Sequence, residues 1–417
     1  MSQSISKPVL RSIGHDNIKQ FLQTQHSEAL KKEYRSGNYQ DISEDTMYEN
    51  ILNSLINKDE IDNEHVDEFL LDNFRYGKMN HIFIFQITSS KLKSLNYENQ
   101  IIRFINNLKY HSGEEITSFP HFNKIRQKLP KGKKRLLYTS VHKEGSNITS
   151  IEIILSKFIY DKDYRHCVQY IPVEIDVKNK LVFIRMKDWN NDSLGSFNIS
   201  DEGQKIAKEL ENAFEINLMM KPDKVQNIIT QLLRNLTEPI LADSVDKVNN
   251  NISDDVNQSI KKWTQSIDSS ISLTKKDYDM LNKHVLNYFY KYQFQKDYGH
   301  LKMKNIKDIF DINGYPTYVK FIDDAIGEAR TRSNDVNSSL LDTSIYYDLK
   351  ARLDESHRIN LSTIQFMDPP DRKRLGVSFH TEKHNELRLV LFCQNSYKKE
   401  IYDYVLRKIR SYFKSQK

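Results

Sequence analysis

The chain has 417 residues but only two cysteines, Cys167 and Cys393, which can supply neither a disulfide framework nor a four-thiolate zinc site; a reducing, cytoplasmic setting is the expectation. Twelve glycines and nine prolines are too few for a collagen-like, repeat-rich or loop-dominated design. No apolar stretch approaches the ~20 residues that a membrane-spanning helix needs. The segment Met1 to Leu10 has no apolar run behind a basic start, so no secretory signal is expected either. The glycine-cradled phosphate loops GxxxxGK[ST] and GxGxxG are both missing, which argues against the usual nucleotide sites. No cofactor is expected, apart from a magnesium ion under one reading given below.

What is present is enough for packed cores: 38% of residues are hydrophobic and 11% aromatic. The length favours two or three folding units. Ser43 can cap a helix whose Tyr48, Ile51, Leu52, Leu55 and Ile56 share one face. His81 to Ile87 is too short and too β-branched for a helix and is expected as a buried strand, while Glu98 to His111 returns to helical spacing. Four strand-like segments follow, Leu136–His142, Ser150–Tyr160, His166–Lys178 and Leu181–Lys187, the last two joined by the short turn Asn179-Lys180. From Ser200 the pattern is helical, with Pro239 expected to kink or end one amphipathic stretch. A narrow apolar stripe, Val245, Val248, Ile252, Val256, Ile260, Trp263, Ile267 and Ile271, runs through otherwise polar sequence and must lean on something. Thr274 caps a helix through Tyr292, Pro316 opens another near Tyr318, Ile322 and Ala325, and Leu375–His380 with Glu386–Cys393 forms a hairpin before a closing helix. The expected architecture is therefore α+β: an N-terminal mixed domain over 1–222 with an antiparallel strand meander, a helical connector over 223–273, and a helix-rich C-terminal domain over 274–417 carrying a β-hairpin. The stripe at 245–271 is a candidate surface for oligomerisation.

The net charge of +6 conceals strong sorting. Between Asp41 and Asp72 eleven carboxylates face one Lys58. Between 124 and 135 there are seven cations and no acid: Lys124, Arg126, Lys128, Lys131, Lys133, Lys134 and Arg135. The last twenty residues carry seven basic groups against Glu400 and Asp403, with Arg407, Arg410 and Lys414 on one face of the closing helix. Dense cations attract phosphate, and Phe119, His121 and Phe122 beside the first block could stack on bases, so nucleic acid is the expected partner. The acidic helices over 41–72 offer a docking surface for a protein partner, and a protein-interaction scaffold is one alternative function. A Lys- and Asn-rich chain without household motifs also suits a mobile-element or phage-defence protein.

One stretch suggests catalysis. In Glu174-Ile175-Asp176-Val177-Lys178, strand alternation places Ile171, Val173, Ile175 and Val177 on one face and Glu174, Asp176 and Lys178 on the other. Two carboxylates followed by a lysine resemble the Asp/Glu-x-Lys half of the PD-(D/E)xK nuclease site. The resemblance implies a magnesium ion held by the acids, a water steadied by the lysine, and a third carboxylate, for which Asp161 or Asp163 is the candidate. The proline-aspartate pair of that family is missing. The competing expectation for the trio is the solvent-facing side of a half-exposed hairpin.

Overall fold

The computed structural model describes residues 4–37, 39, 42–88, 94–108, 115–122, 134–160, 166–188, 198–267, 274–301, 303–323, 327–355, 358–370, 372–382, 386–392 and 399–414. The chain is a mixed helix-and-strand protein, as expected of an α+β fold, and no described helix is long and apolar enough to cross a membrane. It divides into two compact units, one of Met1–Met220 with Cys393–Arg410, the other of Lys221–Phe392 with Ser411–Lys417. The 223–273 segment, expected as a connector, is part of the second unit, and most of the closing helix belongs to the first.

The first unit begins with three helices, α1 (Lys7–Ile13), α2 (His15–Gln25) and α3 (Ser27–Ser36), followed by α4 (Glu44–Asn57) and α5 (Asn63–Tyr76). Ser43 accepts a hydrogen bond from the Thr46 amide at the start of α4, and Asp62 does the same for Glu64 at the start of α5, so each helix start satisfies an otherwise orphan N–H. Strand β1 (His81–Gln86) and helix α6 (Glu98–Asn106) lead to β2 (His121–Phe122), β3 (Lys134–Glu144), β4 (Asn147–Tyr160), β5 (His166–Asp176) and β6 (Leu181–Met186), then α7 (Ile199–Phe214). The strands are antiparallel in the order β2-β3-β4-β5-β6-β1. On one face Phe83, Ile153, Val173 and Ile184 form a core with Ile105 of α6 and Ile206 and Leu210 of α7. Gly203 sets how closely α7 approaches: a Cβ there would sit 2.9 Å from the Phe83 ring. The other face is covered too, since α1 and α5 both pack on β5. All six residues of β6 are consequently buried, which is why that strand reads as a continuous apolar run broken only by Arg185.

The second unit opens with α8 (Pro222–Asn251), α9 (Ser253–Ile267), α10 (Lys275–Tyr298) and α11 (Met303–Phe310). Pro239 does not end α8. It lies on the exposed side of the helix, as does Asn235 four residues earlier, so water can take the carbonyl that loses its N–H partner. The narrow stripe leans on this same chain: Val248, Val256 and Ile260 pack with Leu286 of α10, and Ile252 joins them half-buried. That contact covers the stripe proposed for oligomerisation as far as Ile260; Trp263 is exposed, and 268–271 lie outside the described residues.

The remaining elements are β7 (Gly314–Asp323), β8 (Gly327–Arg332), α12 (Ser344–Glu355), β9 (Arg358–Met367), β10 (Arg374–His380) and β11 (Leu387–Phe392), with the strands in the order β11-β10-β9-β7-β8. The helix expected from Pro316 is thus a strand. The spacing of Tyr318 and Ile322 suggested a helical face, but Tyr315, Thr317, Val319 and Phe321 are buried, at the even spacings of a strand. Helix α13 (Lys399–Lys414) closes the chain, its residues to Arg410 belonging to the first unit.

Candidate functional site

Strand alternation on β5 holds as expected: Ile171, Val173, Ile175 and Val177 join the core with α6 and α7, and Glu174 and Asp176 point to the opposite face. That face is not open to solvent. Asp176 is 5% exposed, and the Glu174 side chain is 22% exposed. Burying ionised carboxylates costs several kcal/mol each unless opposite charge and hydrogen bonds replace the lost water, and three arginines supply both.

Arg410 of α13 forks across the pair, its Nε donating to Asp176 Oδ2 at 2.8 Å and a terminal nitrogen to Glu174 Oε1 at 2.6 Å. Arg185 of β6 donates to the other Glu174 oxygen at 2.5 Å. Asp176 Oδ1 accepts from the backbone N–H of Asn179 at 2.9 Å, and the Asn179 side-chain amide reaches both carboxylate oxygens. Next to this group, Glu152 lies directly across from Glu174 on β4. Arg75 at the end of α5 meets it bidentately, with two bonds of 2.7 Å. Burial opposes the charge on Arg75, but the hydrogen bonds and charge of Glu152 outweigh it and hold its pKa above the usual guanidinium value. The guanidiniums also lie on aromatic faces, Arg410 5.0 Å from the Phe183 ring centre and Arg75 4.9 Å from that of Tyr138. Tyr402 of α13 donates to the carbonyls of Tyr76 and Met79, and burial pushes the Tyr76 phenol up to about 12.

Glu152, Glu174 and Asp176 are matched one for one by Arg75, Arg185 and Arg410. Every oxygen of Glu174 and Asp176 accepts from a guanidinium or an amide. The place where a hard cation would sit beside these two acids holds the Arg410 fork. Lys178 lies elsewhere, exposed and paired with Glu144 at 2.8 Å. Asp161 and Asp163 lie outside the described residues. Among the described residues no cluster of three or more His, Cys, Asp or Glu side chains could hold a metal ion.

Of the basic candidates, Lys124, Arg126, Lys128, Lys131 and Lys133 lie outside the described residues, and so do the side chains of Lys134 and Lys414. The ends of the 124–135 block are nevertheless placed. His121 and Phe122 form β2, paired with Thr139 and Tyr138, and Lys134 and Arg135 open β3, so the block links two antiparallel strands at the end of the sheet's strand order. Arg135 is half-buried and its carbonyl accepts from Ser156. Phe119, expected beside the block as a base-stacking surface, is partly buried and packs against the core. On α13, Arg407 is exposed, whereas Arg410, expected on the same open basic face, turns inward to the carboxylates. In the acidic region, Glu60 pairs with Lys32 and Asp72 lies 3.8 Å from Arg75.

Sequence reasoning missed Glu152, Arg75, Arg185 and Tyr402. A signal existed for two of them: Glu152 and Arg185 are each flanked by apolar residues within a strand, and such a charge must have a partner. Comparison with protein-family models, curated proteins and solved structures finds no match to this chain.

Proposed function

We propose that this protein binds nucleic acid through the basic connection between β2 and β3, and that Glu174 and Asp176 serve architecture rather than catalysis. The observation that carries the reading is the position of the block: seven cations without an acid are tethered at both ends to paired strands at the end of the sheet order, while Lys143 of β3, Lys157 of β4 and Lys178 just after β5 each have a carboxylate partner. The sequence of the block itself carries no acid to offset these charges. Binding of this kind is dominated by phosphate contacts and is indifferent to base sequence.

The test replaces Lys131, Lys133, Lys134 and Arg135 with glutamine. Each lost phosphate contact lowers the slope of log affinity against log salt by about 0.7 to 0.9, so the quadruple variant should bind DNA or RNA far more weakly, with a slope flatter by roughly two to four units. Unchanged affinity with an unchanged slope would refute the reading and favour a scaffold role for the acidic helices.

A further inference from the structure

A cleft of about 440 Å³ opens in the first unit between α2, α5 and the first turn of α13. Its size is that of a small-molecule site, and its walls favour one class of guest. Asn17 and Asn73 line it from α2 and α5, and each donates its Nδ2 to the carbonyl one helical turn earlier, Asn17 to Ile13 at 2.9 Å and Asn73 to Phe69 at 2.8 Å. A carbonyl accepts only, so both amide orientations are fixed, and each side chain offers its Oδ1 lone pairs beside one remaining Nδ2 hydrogen. Asn17 is 7% exposed, so its acceptor is held rigidly by the packing around it.

Two carboxylates add to these acceptors. Glu400 is exposed in the first turn of α13, and the Asp72 side chain is 71% exposed, 3.8 Å from Arg75. Lys399 is the one cation among the lining side chains, so within the lining itself two carboxylates face one ammonium. The apolar part is a parallel stack of Phe21 and Phe69, with ring centres 4.2 Å apart.

We propose that this cleft binds an organic cation, with a guanidinium as its best-fitting head group. Fixed carbonyl acceptors and carboxylates require a guest rich in N–H donors. An aromatic wall favours a flat, weakly hydrated cation over a compact, strongly hydrated ammonium. An anionic guest, including a phosphate, would meet one ammonium, Lys399, against two carboxylates and two oxygen acceptors. The inference is independent of the nucleic-acid reading, since none of these residues lies in the 124–135 block.

The experiment titrates the full chain with butylguanidinium and, as a neutral isostere, butylurea, followed by calorimetry. Saturable one-to-one binding of the guanidinium is expected, at least about tenfold tighter than that of the urea and weakened about tenfold in both Asp72→Asn and Glu400→Gln. Both substituted side chains are exposed, so the variants should fold, and circular dichroism confirms it. A parallel titration with acetyl-arginine amide separates the sources of the cation: binding there as well marks the arginine side chain of a peptide as the guest, and binding of butylguanidinium alone marks a free small molecule. Equal affinity for the urea, unchanged affinity in the two variants, or no saturation in the millimolar range would overturn the proposal.

Discussion

Replacing Arg410 with methionine tests whether the carboxylate pair on β5 is held by charge from α13. Methionine keeps the length and most of the apolar stem, so the change removes the fork while preserving contact with Phe183. Two charge-assisted hydrogen bonds of 2.6 and 2.8 Å disappear. Removing one partner of a buried ion pair costs about 3–5 kcal/mol, because a charge is left without compensation. Arg410 and Glu174 are 24% and 22% exposed, so water screens part of that loss, and about 2–3 kcal/mol is expected. The cost is unequal within the pair. Glu174 retains Arg185, whereas Asp176, with a side chain 7% exposed, keeps only the amide donors of Asn179. Asp176→Asn in the Arg410→Met background should therefore recover at least half of the loss, and Glu174→Gln should recover less. Urea denaturation of the full chain, followed by circular dichroism and arranged as a double-mutant cycle, measures both. A loss below about 0.5 kcal/mol with no coupling to Asp176 would refute the argument, since that is the scale of an ordinary surface substitution. A midpoint raised by magnesium in the native chain but not in Asp176→Asn would reinstate the metal reading.

Two other substitutions probe the same unit. Lys187 donates to the Ser12 carbonyl, and burial, followed by the charge of Lys78, lowers its amine from the usual 10.5 to about 8. Below pH 8 the amine is charged in both folded and unfolded chains, and the full burial penalty is present. Between about 8 and 10.5 the unfolded chain binds more protons, so native stability should rise with pH across that window and Lys187→Met should abolish the rise. At pH 7 the same variant should be more stable by about 1–3 kcal/mol, and a flat difference in denaturation midpoint from pH 7 to 10.5 would contradict the mechanism. Gly203→Ala should destabilise by about 1–3 kcal/mol despite the better helix propensity of alanine, because its Cβ meets a fully buried ring; a raised melting temperature would show that α7 can move away.

The strands of the first unit were readable because each pairs an apolar face with a short length and a turn signal, and the hairpin at Asn179-Lys180 followed from the same cues. Helix α3 gave no such signal: its one buried residue is Glu33, satisfied by Ser54, Lys58 and Tyr39, so a search for apolar periodicity passes over it. Strand β7 misled for the opposite reason, since Tyr318 and Ile322 fall four apart by coincidence within a segment whose core residues alternate. The candidate site was half readable. Alternation gives the face on which Glu174 and Asp176 lie, but it cannot say what covers that face, because Arg410 is 234 residues away along the chain. Charge balance could have carried the argument one step further. Strands β4 and β5 place Glu152, Glu174 and Asp176 on one buried face, and β6 contributes only Arg185. Three carboxylates largely withdrawn from water, against one guanidinium, are untenable in a medium that hydrates them poorly. Two more cations therefore had to come from elements lying over the sheet, and arginine suits such sites because its fork reaches two oxygens at once. Arg75 of α5 and Arg410 of α13 meet that requirement, and the basic closing helix owes one of its charges to the sheet it covers.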